Sequence, residues 1–176
     1  MLINQDLKTN GVSRLYQTLI IIKMSSIKVN DKCPIFTLKD QDGKLFKVEE
    51  AIGKDNLVIY FYPKDETAGC TKQACSFRDA YEDFIAVGAQ VIGISSDDEK
   101  SHNKFAKKHR LPFTLLADSD KKVRKAFGVP TNLLGLIPGR VTYVIDKKGI
   151  VQGVFNSQLK FDQHVAEALD ILSKLK

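Results

Sequence analysis

The sequence predicts one α/β domain, with a mixed central sheet flanked by helices and a hairpin ahead of it. Three observations carry that expectation. Two nearly continuous apolar runs, Leu57 to Tyr62 and Val91 to Ile94, have the character of strands buried on both faces. Each leads into a stretch with helical character, and from Thr71 on apolar residues recur at helical spacing. Two further short apolar runs, Val141 to Ile145 and Ile150 to Phe155, stand just before a last helix-period segment.

The elements follow in order. Phe36-Thr37-Leu38 and Leu45-Phe46-Lys47-Val48 flank Gln41-Asp42-Gly43-Lys44. An Asp-Gly pair between two such runs marks a hairpin. The strand from Leu57 ends at Pro63, and a polar loop follows. Cys70 then opens a helix to about Gly88, with Ala74, Phe77, Tyr81, Phe84 and Ile85 on its apolar positions. After the second strand, Asp97 or Asp98 caps a helix to about Arg110. Phe113 to Leu116 is a third strand, and Asp118 or Ser119 caps a short helix ending at Gly128. The late strands flank Asp146-Lys147-Lys148-Gly149, and Phe161, Val165, Leu169 and Leu172 recur along a final helix. Alternating strands and helices imply a mainly parallel centre with helices on both faces, to which the late hairpin adds antiparallel strands. With βαβ first and ββα last, this is the order of a thioredoxin-like fold with extra elements at its front and middle.

Composition narrows the class. At 43% hydrophobic and 27% charged residues, the 176-residue chain is ordinary globular material and long enough for a real core. Three cysteines, an odd number, argue against an extracellular disulfide framework and for surroundings that keep thiols reduced. The net charge of +6 is dispersed among acids, as in Asp97 to Lys100 and Asp118 to Lys125. A nucleic-acid binder gathers such charge into a stripe, so no nucleic-acid partner is expected. No apolar run approaches the roughly 20 residues that span a bilayer, so no membrane partner is expected. Residues 1–24 read as a disordered or leader segment, and residues 25–176 as the folded domain. Residues 1–23 are poor in acids, and Met24-Ser25-Ser26 offers a second start of translation. A cytoplasmic location is expected, with a plastid or other organelle as the alternative if the leader targets.

The chemistry centres on Cys70. It sits among Thr, Gly and Lys at a loop-to-helix junction, whereas a cysteine that merely fills space sits in an apolar run. A thiol there feels the unpaired N–H groups and the positive dipole end of the helix. Both favour the thiolate, which is the nucleophile. Cys75 lies five positions on. On a regular helix that is about 7.5 Å of rise and about 140° of rotation, which separates the Cα atoms by roughly 8.7 Å. A disulfide needs them within about 7 Å. Either Cys75 is inert, or the first turn unwinds and lets it resolve an oxidised Cys70. Cys33, beside Pro34, has no polar or basic neighbour in sequence and reads as structural.

This CxxxxC spacing is not the CxxC of disulfide exchangers. His102, His109 and His164 lack zinc-site spacing and are expected on solvated helix faces, so no metal is expected. A thiolate attacking an O–O bond needs donors that hold the peroxide and the charge leaving on oxygen. Thr67 offers a hydroxyl for that purpose, or else closes a turn in the loop. Arg140 opens the strand Val141 to Ile145 and offers an always-charged fork for a thiolate and for oxygen anions. Its plainer alternative is a surface salt bridge. Pro63 shields the site from water, or is simply a turn residue.

The spacing Pro63-x-x-x-Thr67-x-x-Cys70, with Arg140 downstream in Pro138-Gly139-Arg140-Val141-Thr142-Tyr143, resembles the peroxiredoxin active-site pattern. The segment Phe61 to Thr67, then Gly69-Cys70-Thr71-Lys72-Gln73-Ala74-Cys75 and Phe77-Arg78-Asp79, resembles the bacterioferritin comigratory protein or peroxiredoxin Q branch. The likeness runs over about residues 27–175. It implies a peroxidatic role for Cys70 and a resolving role for Cys75 through an intramolecular disulfide, with Pro63, Thr67 and Arg140 completing the site. It implies a thiol-dependent peroxidase that reduces hydrogen peroxide and organic hydroperoxides without a cofactor and is recycled by thioredoxin or a similar dithiol. With both thiols in one chain no dimer is required, and a monomer is expected. Ala68 departs from the pattern, where the family usually has proline; this loosens the loop and removes no functional group. Cys33 stands where the family commonly has a small residue and receives no role. A redox-sensing binding module, in which the same disulfide reshapes a partner surface, is the alternative of a different class.

Overall fold

In the computed structural model, which describes residues 26–132 and 137–175, the hairpin comes first. Its strands are β1 (Thr37–Asp40) and β2 (Leu45–Lys47), and Gly43 turns between them at φ +79°. A short helix α1 (Val48–Ala51) leads to β3 (Asn56–Phe61). The helices α2 (Ala68–Asp79) and α3 (Tyr81–Ala86) precede β4 (Ala89–Ser95). Next come α4 (Glu99–His109), β5 (Thr114–Ala117) and α5 (Lys122–Ala126). The two-residue strands β6 (Thr131–Asn132) and β7 (Ile137–Pro138) pair with each other. The chain closes with β8 (Val141–Ile145), β9 (Val151–Asn156) and α6 (Phe161–Ser173).

Seven strands form one sheet in the order β2-β1-β5-β4-β3-β8-β9. The expected mixed sheet is present, but parallel pairing is confined to β3–β4 and β4–β5. The late hairpin joins β3 antiparallel through β8, and β1 closes the other flank antiparallel on β5, so the parallel share is smaller than the element order implies. Along β3 the side chains alternate. Val58, Tyr60 and the following Tyr62 face a layer with Phe77, Phe84, Phe105 and Leu172. Leu57, Ile59 and Phe61 face the opposite layer with Phe36, Val123, Phe127 and Tyr143. Both layers are buried, which is why this strand spells an unbroken apolar run despite its period of two. Each such side chain contributes about 1.5–3 kcal/mol through burial.

Two expectations need correction. The helix expected from Cys70 to Gly88 starts at Ala68 and breaks at Ala80, which has φ −100° and ψ 12°. Glu82 and Asp83 then stand in the first turn of α3, where negative charge complements a new helix start. The histidines do not all lie on solvated faces. His102 and His164 are fully buried because distant partners satisfy their rings. His102 Nδ1 lies 2.9 Å from Asp65 Oδ2, and its Nε2 lies 3.2 Å from the Leu116 carbonyl. His164 Nδ1 lies 2.8 Å from Thr142 Oγ1, and its Nε2 lies 2.9 Å from the Ser157 carbonyl. His109 is partly covered, with its ring centroid 4.9 Å from that of Phe105 in an edge-on arrangement. At the capping sites, Asp98 accepts from the Ser101 N–H at 2.8 Å and starts α4. Asp118 accepts from the N–H groups of Val123 and Arg124 at 3.0 and 2.7 Å and secures α5.

Candidate active site

The end of β3 delivers Tyr62 and Pro63, and the loop that follows is anchored at Asp65. The Tyr62 hydroxyl donates to Asp65 Oδ1, and the Ser101 hydroxyl to Asp65 Oδ2, both at 2.7 Å. The Asp65 N–H donates to Asp97 Oδ2 at 3.0 Å. Burial works against the charge on Asp65, but the bonds and charge of His102, with those of Ser101 and Tyr62, outweigh it and hold its carboxyl below the usual range. Glu66 then takes a left-handed φ of +59°, and Thr67 stands as the residue before α2.

Cys70 is the third residue of α2 and is 1% exposed. The first intrahelical bond runs from the Thr71 N–H to the Thr67 carbonyl at 2.8 Å. The N–H groups of Ala68, Gly69 and Cys70 come before it and have no partner within the helix. Arg140 reaches Cys70 from the start of β8: its Nη2 donates to Cys70 Sγ at 3.3 Å. The same guanidinium donates through Nη1 to Gln73 Oε1 and through Nε to the Gln158 carbonyl at 3.3 Å. It also stacks over the Phe161 ring, with Cζ 4.9 Å from the centroid. Arg140 is 3% exposed and no carboxylate pairs with it among the described residues, so the surface salt bridge is not what it makes.

Of the residues singled out in the sequence, the structure brings Cys70 and Arg140 into contact. Thr67 is exposed, and its hydroxyl donates to the Lys64 carbonyl at 3.1 Å, the turn-closing bond rather than a bond to the thiol. Pro63 is partly covered at the mouth of the loop. Cys75 is partly buried and its thiol is free, because α2 is continuous through both cysteines. Cys33 is buried, and burial pushes its thiol up to about 12, so it holds its proton at neutral pH. The start of α6 grips α2. Asp162 accepts from the Ser76 hydroxyl at 2.7 Å and sits 3.4 Å from Lys72 Nζ, while Phe161 covers Gly69.

Two buried residues were missed in the sequence. Gln73, fully buried, orients Arg140. Arg124 donates to the carbonyls of Tyr62 and Gly139. Gln73 sits three positions after Cys70, one helical turn along the same face, and that spacing was the available signal. Arg124 carried none, since a cation on a short charged helix reads as solvated. Among the described residues, no three His, Cys, Asp or Glu side chains gather as a metal site. No described helix is long and apolar enough to cross a membrane.

Comparison with known proteins adds the context. The model of the AhpC/TSA family matches residues 29–154. The chloroplastic peroxiredoxin Q of Populus jackii is 58% identical over 142 residues, 81% of this chain and 66% of that relative. The chain thus spans just under two thirds of that relative's length. Among solved structures, the peroxidoxin BcpB of Mycobacterium tuberculosis superposes with a TM-score of 0.79 at 36% identity, over 85% of this chain and 99% of that one. The bacterioferritin comigratory protein of Xanthomonas campestris, solved in trapped-intermediate and ligand complexes bearing on its alkyl peroxide reduction, superposes with a TM-score of 0.71 at 31% identity, over 78% and 90% of the two chains.

Proposed function

The chain belongs to the AhpC/TSA family, and on that premise we propose that it is a thiol-dependent peroxidase that reduces hydrogen peroxide and organic hydroperoxides. The observation that carries the reading is the Arg140 guanidinium on the Cys70 sulfur, at the N-terminal turn of a 12-residue helix. Cation and helix end both stabilise a thiolate there.

The thiolate attacks the distal oxygen of the hydroperoxide. The S–O bond forms as the O–O bond breaks, and the leaving oxygen departs with the electron pair and takes a proton, as water or an alcohol. Arg140 and the N–H groups of Gly69 and Cys70 hold the charge that develops on oxygen. The Thr67 proton is committed to the Lys64 carbonyl, so its oxygen is the acceptor for the O–H of the hydroperoxide. Pro63 keeps water from the side of the loop. Cys70 is left as a sulfenic acid. The first turns of α2 then unwind, Cys75 displaces hydroxide from the sulfenic sulfur, and a Cys70–Cys75 disulfide forms with loss of water. A thioredoxin-type dithiol reduces it. The alkyl peroxide chemistry named for the Xanthomonas relative supports the substrate class. One chain carries the whole cycle, so a monomer suffices.

The leader expectation falls on residues outside those described. The chloroplastic designation of the plant relative supports delivery to a plastid over the cytoplasmic location, with residues 1–23 as the targeting segment.

Stopped-flow peroxide titration with and without thioredoxin tests the function. Cys70→Ser abolishes turnover. Cys75→Ser consumes one equivalent in a burst and then recycles slowly. A Cys70→Ser protein that consumes peroxide like the wild type refutes the assignment. A single stoichiometric oxidation of the wild type, without turnover, favours the redox-sensing module instead.

A further inference from the structure

We propose that Arg124 is a positioning residue for the peroxide reaction, tying the backbone just before Pro63 to the backbone just before Arg140. This rests on the thiol-peroxidase reading. Its Nη2 donates to the Tyr62 carbonyl at 2.7 Å, and its Nη1 to the Gly139 carbonyl at 3.0 Å. Tyr62 immediately precedes Pro63 and the loop that leads to Cys70, and Gly139 immediately precedes Arg140, which touches the Cys70 sulfur.

The sheet explains why a side chain is needed there. The β3–β8 ladder ends at the pair Phe61↔Val141. One step beyond it the strands separate, because β3 must run into the Cys70 loop and β8 must begin at Arg140. No ladder bond couples the two ends at that point, and the planar fork of Arg124 spans them instead. Gly139 is held on its other side as well. Its N–H donates to the Pro130 carbonyl at 2.8 Å, and a Cβ at Gly139 would sit 2.2 Å from that oxygen. Pro130 and Arg124 therefore fix both polar groups of the residue that aims Arg140.

Arg124 is itself rigidly mounted. It is 6% exposed, and its Cζ lies 5.6 Å from the centroid of the Phe61 ring. The carboxylate of Asp118 is engaged by the N–H groups of Val123 and Arg124, so α5 is pinned where the guanidinium needs it. No carboxylate pairs directly with the guanidinium among the described residues. A buried cation without a paired carboxylate is costly, so a fold that keeps one has a use for its charge or its geometry. Burial pushes its pKa down, and the negative charge of Asp118, then of Tyr143 and Cys70, opposes that push.

Arg124→Lys and Arg124→Met separate geometry from charge. Three readouts are needed: the second-order rate of Cys70 with hydrogen peroxide, the pH profile of Cys70 alkylation by iodoacetamide, and thermal unfolding of the reduced protein. Arg124→Lys retains the charge but one ammonium cannot bridge two carbonyls. It should leave the alkylation profile near that of the wild type and slow the peroxide reaction by about tenfold to a hundredfold, the scale of a small misplacement of reacting groups. Arg124→Met removes the fork and the charge together and should slow the peroxide reaction at least as far as Arg124→Lys does. If Arg124→Met does not fold, Arg124→Lys alone decides. A folded Arg124→Lys protein that reacts with peroxide at the wild-type rate overturns the proposal. So does one that loses peroxide and iodoacetamide reactivity in equal proportion, since that is a general loss of thiol reactivity. A wild type that fails to turn over peroxide refutes the peroxidase reading itself, which is a separate outcome.

Discussion

Replacing His164 with glutamine isolates one source of acid sensitivity in this fold. The ring is fully buried between Thr142 Oγ1 at 2.8 Å and the Ser157 carbonyl at 2.9 Å. A neutral imidazole satisfies both, donating at Nε2 and accepting at Nδ1. Burial above all, with a smaller push from the charge of Arg140, lowers its pKa from 6.5 to about 4 against the opposing bond to Ser157. The unfolded chain therefore takes up the proton first. The stability that His164 contributes is complete above about pH 6.5 and is lost as the pH falls toward 4. Each pH unit of that window is worth about 1.4 kcal/mol, so the whole loss is about 3 kcal/mol, with about 2 kcal/mol gone by pH 5. Urea unfolding of the reduced protein at pH 7 and pH 5 measures it. Wild type should lose about 2 kcal/mol more than His164→Gln between the two conditions. Other groups, Asp65 among them, titrate in both proteins and cancel. Equal losses refute the reasoning. The loss should reach the site too, because Ser157 donates to the Arg140 carbonyl and Arg140 Nε to the Gln158 carbonyl, both at 3.3 Å.

Two further substitutions probe the packing beneath and beside the thiol. The Tyr60 hydroxyl is buried without a partner among the described residues, while its ring stacks on Phe77 at 4.6 Å. Tyr60→Phe keeps the stack and removes an orphan that costs about 1 kcal/mol or more, so Tm should rise by about 2–4 °C; a fall in calorimetry would show that the hydroxyl is satisfied. Gly69→Ala should gain about 1 kcal/mol from helix propensity alone. Its Cβ, however, would meet the Phe161 ring at 2.8 and 2.9 Å and approach Arg140 Nη2 at 3.4 Å, so the gain should vanish and the peroxide rate should fall. A variant that keeps the full gain at an unchanged rate would mean that Phe161 swings aside freely.

What the sequence revealed divides along a physical line. Strands buried on both faces and turns with Asp-Gly chemistry are local signals, and they placed β1 to β3 and the late hairpin within a residue or two. The setting of Cys70 is also local, since a helix start acts over one turn. Contacts between distant segments were not legible. Arg140 had to be weighed against a salt bridge because its partner Cys70 is 70 positions away. His102 and His164 were expected in solvent because Asp65 and Thr142, which satisfy them, lie 37 and 22 positions off. Arg124 reads as a solvated cation for the same reason, and the spacing of Gln73 from Cys70 does not reveal its partner; the partners lie 62 and 67 positions away. A buried polar side chain is recognisable only when its partner is known, and periodicity carries no information about partners.

In the proposed cycle, the grip of Phe161 and Asp162 on α2 would make the oxidised protein a timed device. On that reading, while the C-terminal helix holds, a sulfenic sulfur at Cys70 would stay out of reach of Cys75 and within reach of a second oxidant molecule. Each opening of the grip offers rescue, and each delay risks an irreversible sulfinate. The tightness of one helix against another, rather than the reactivity of either sulfur, then fixes how concentrated an oxidant the protein outlives.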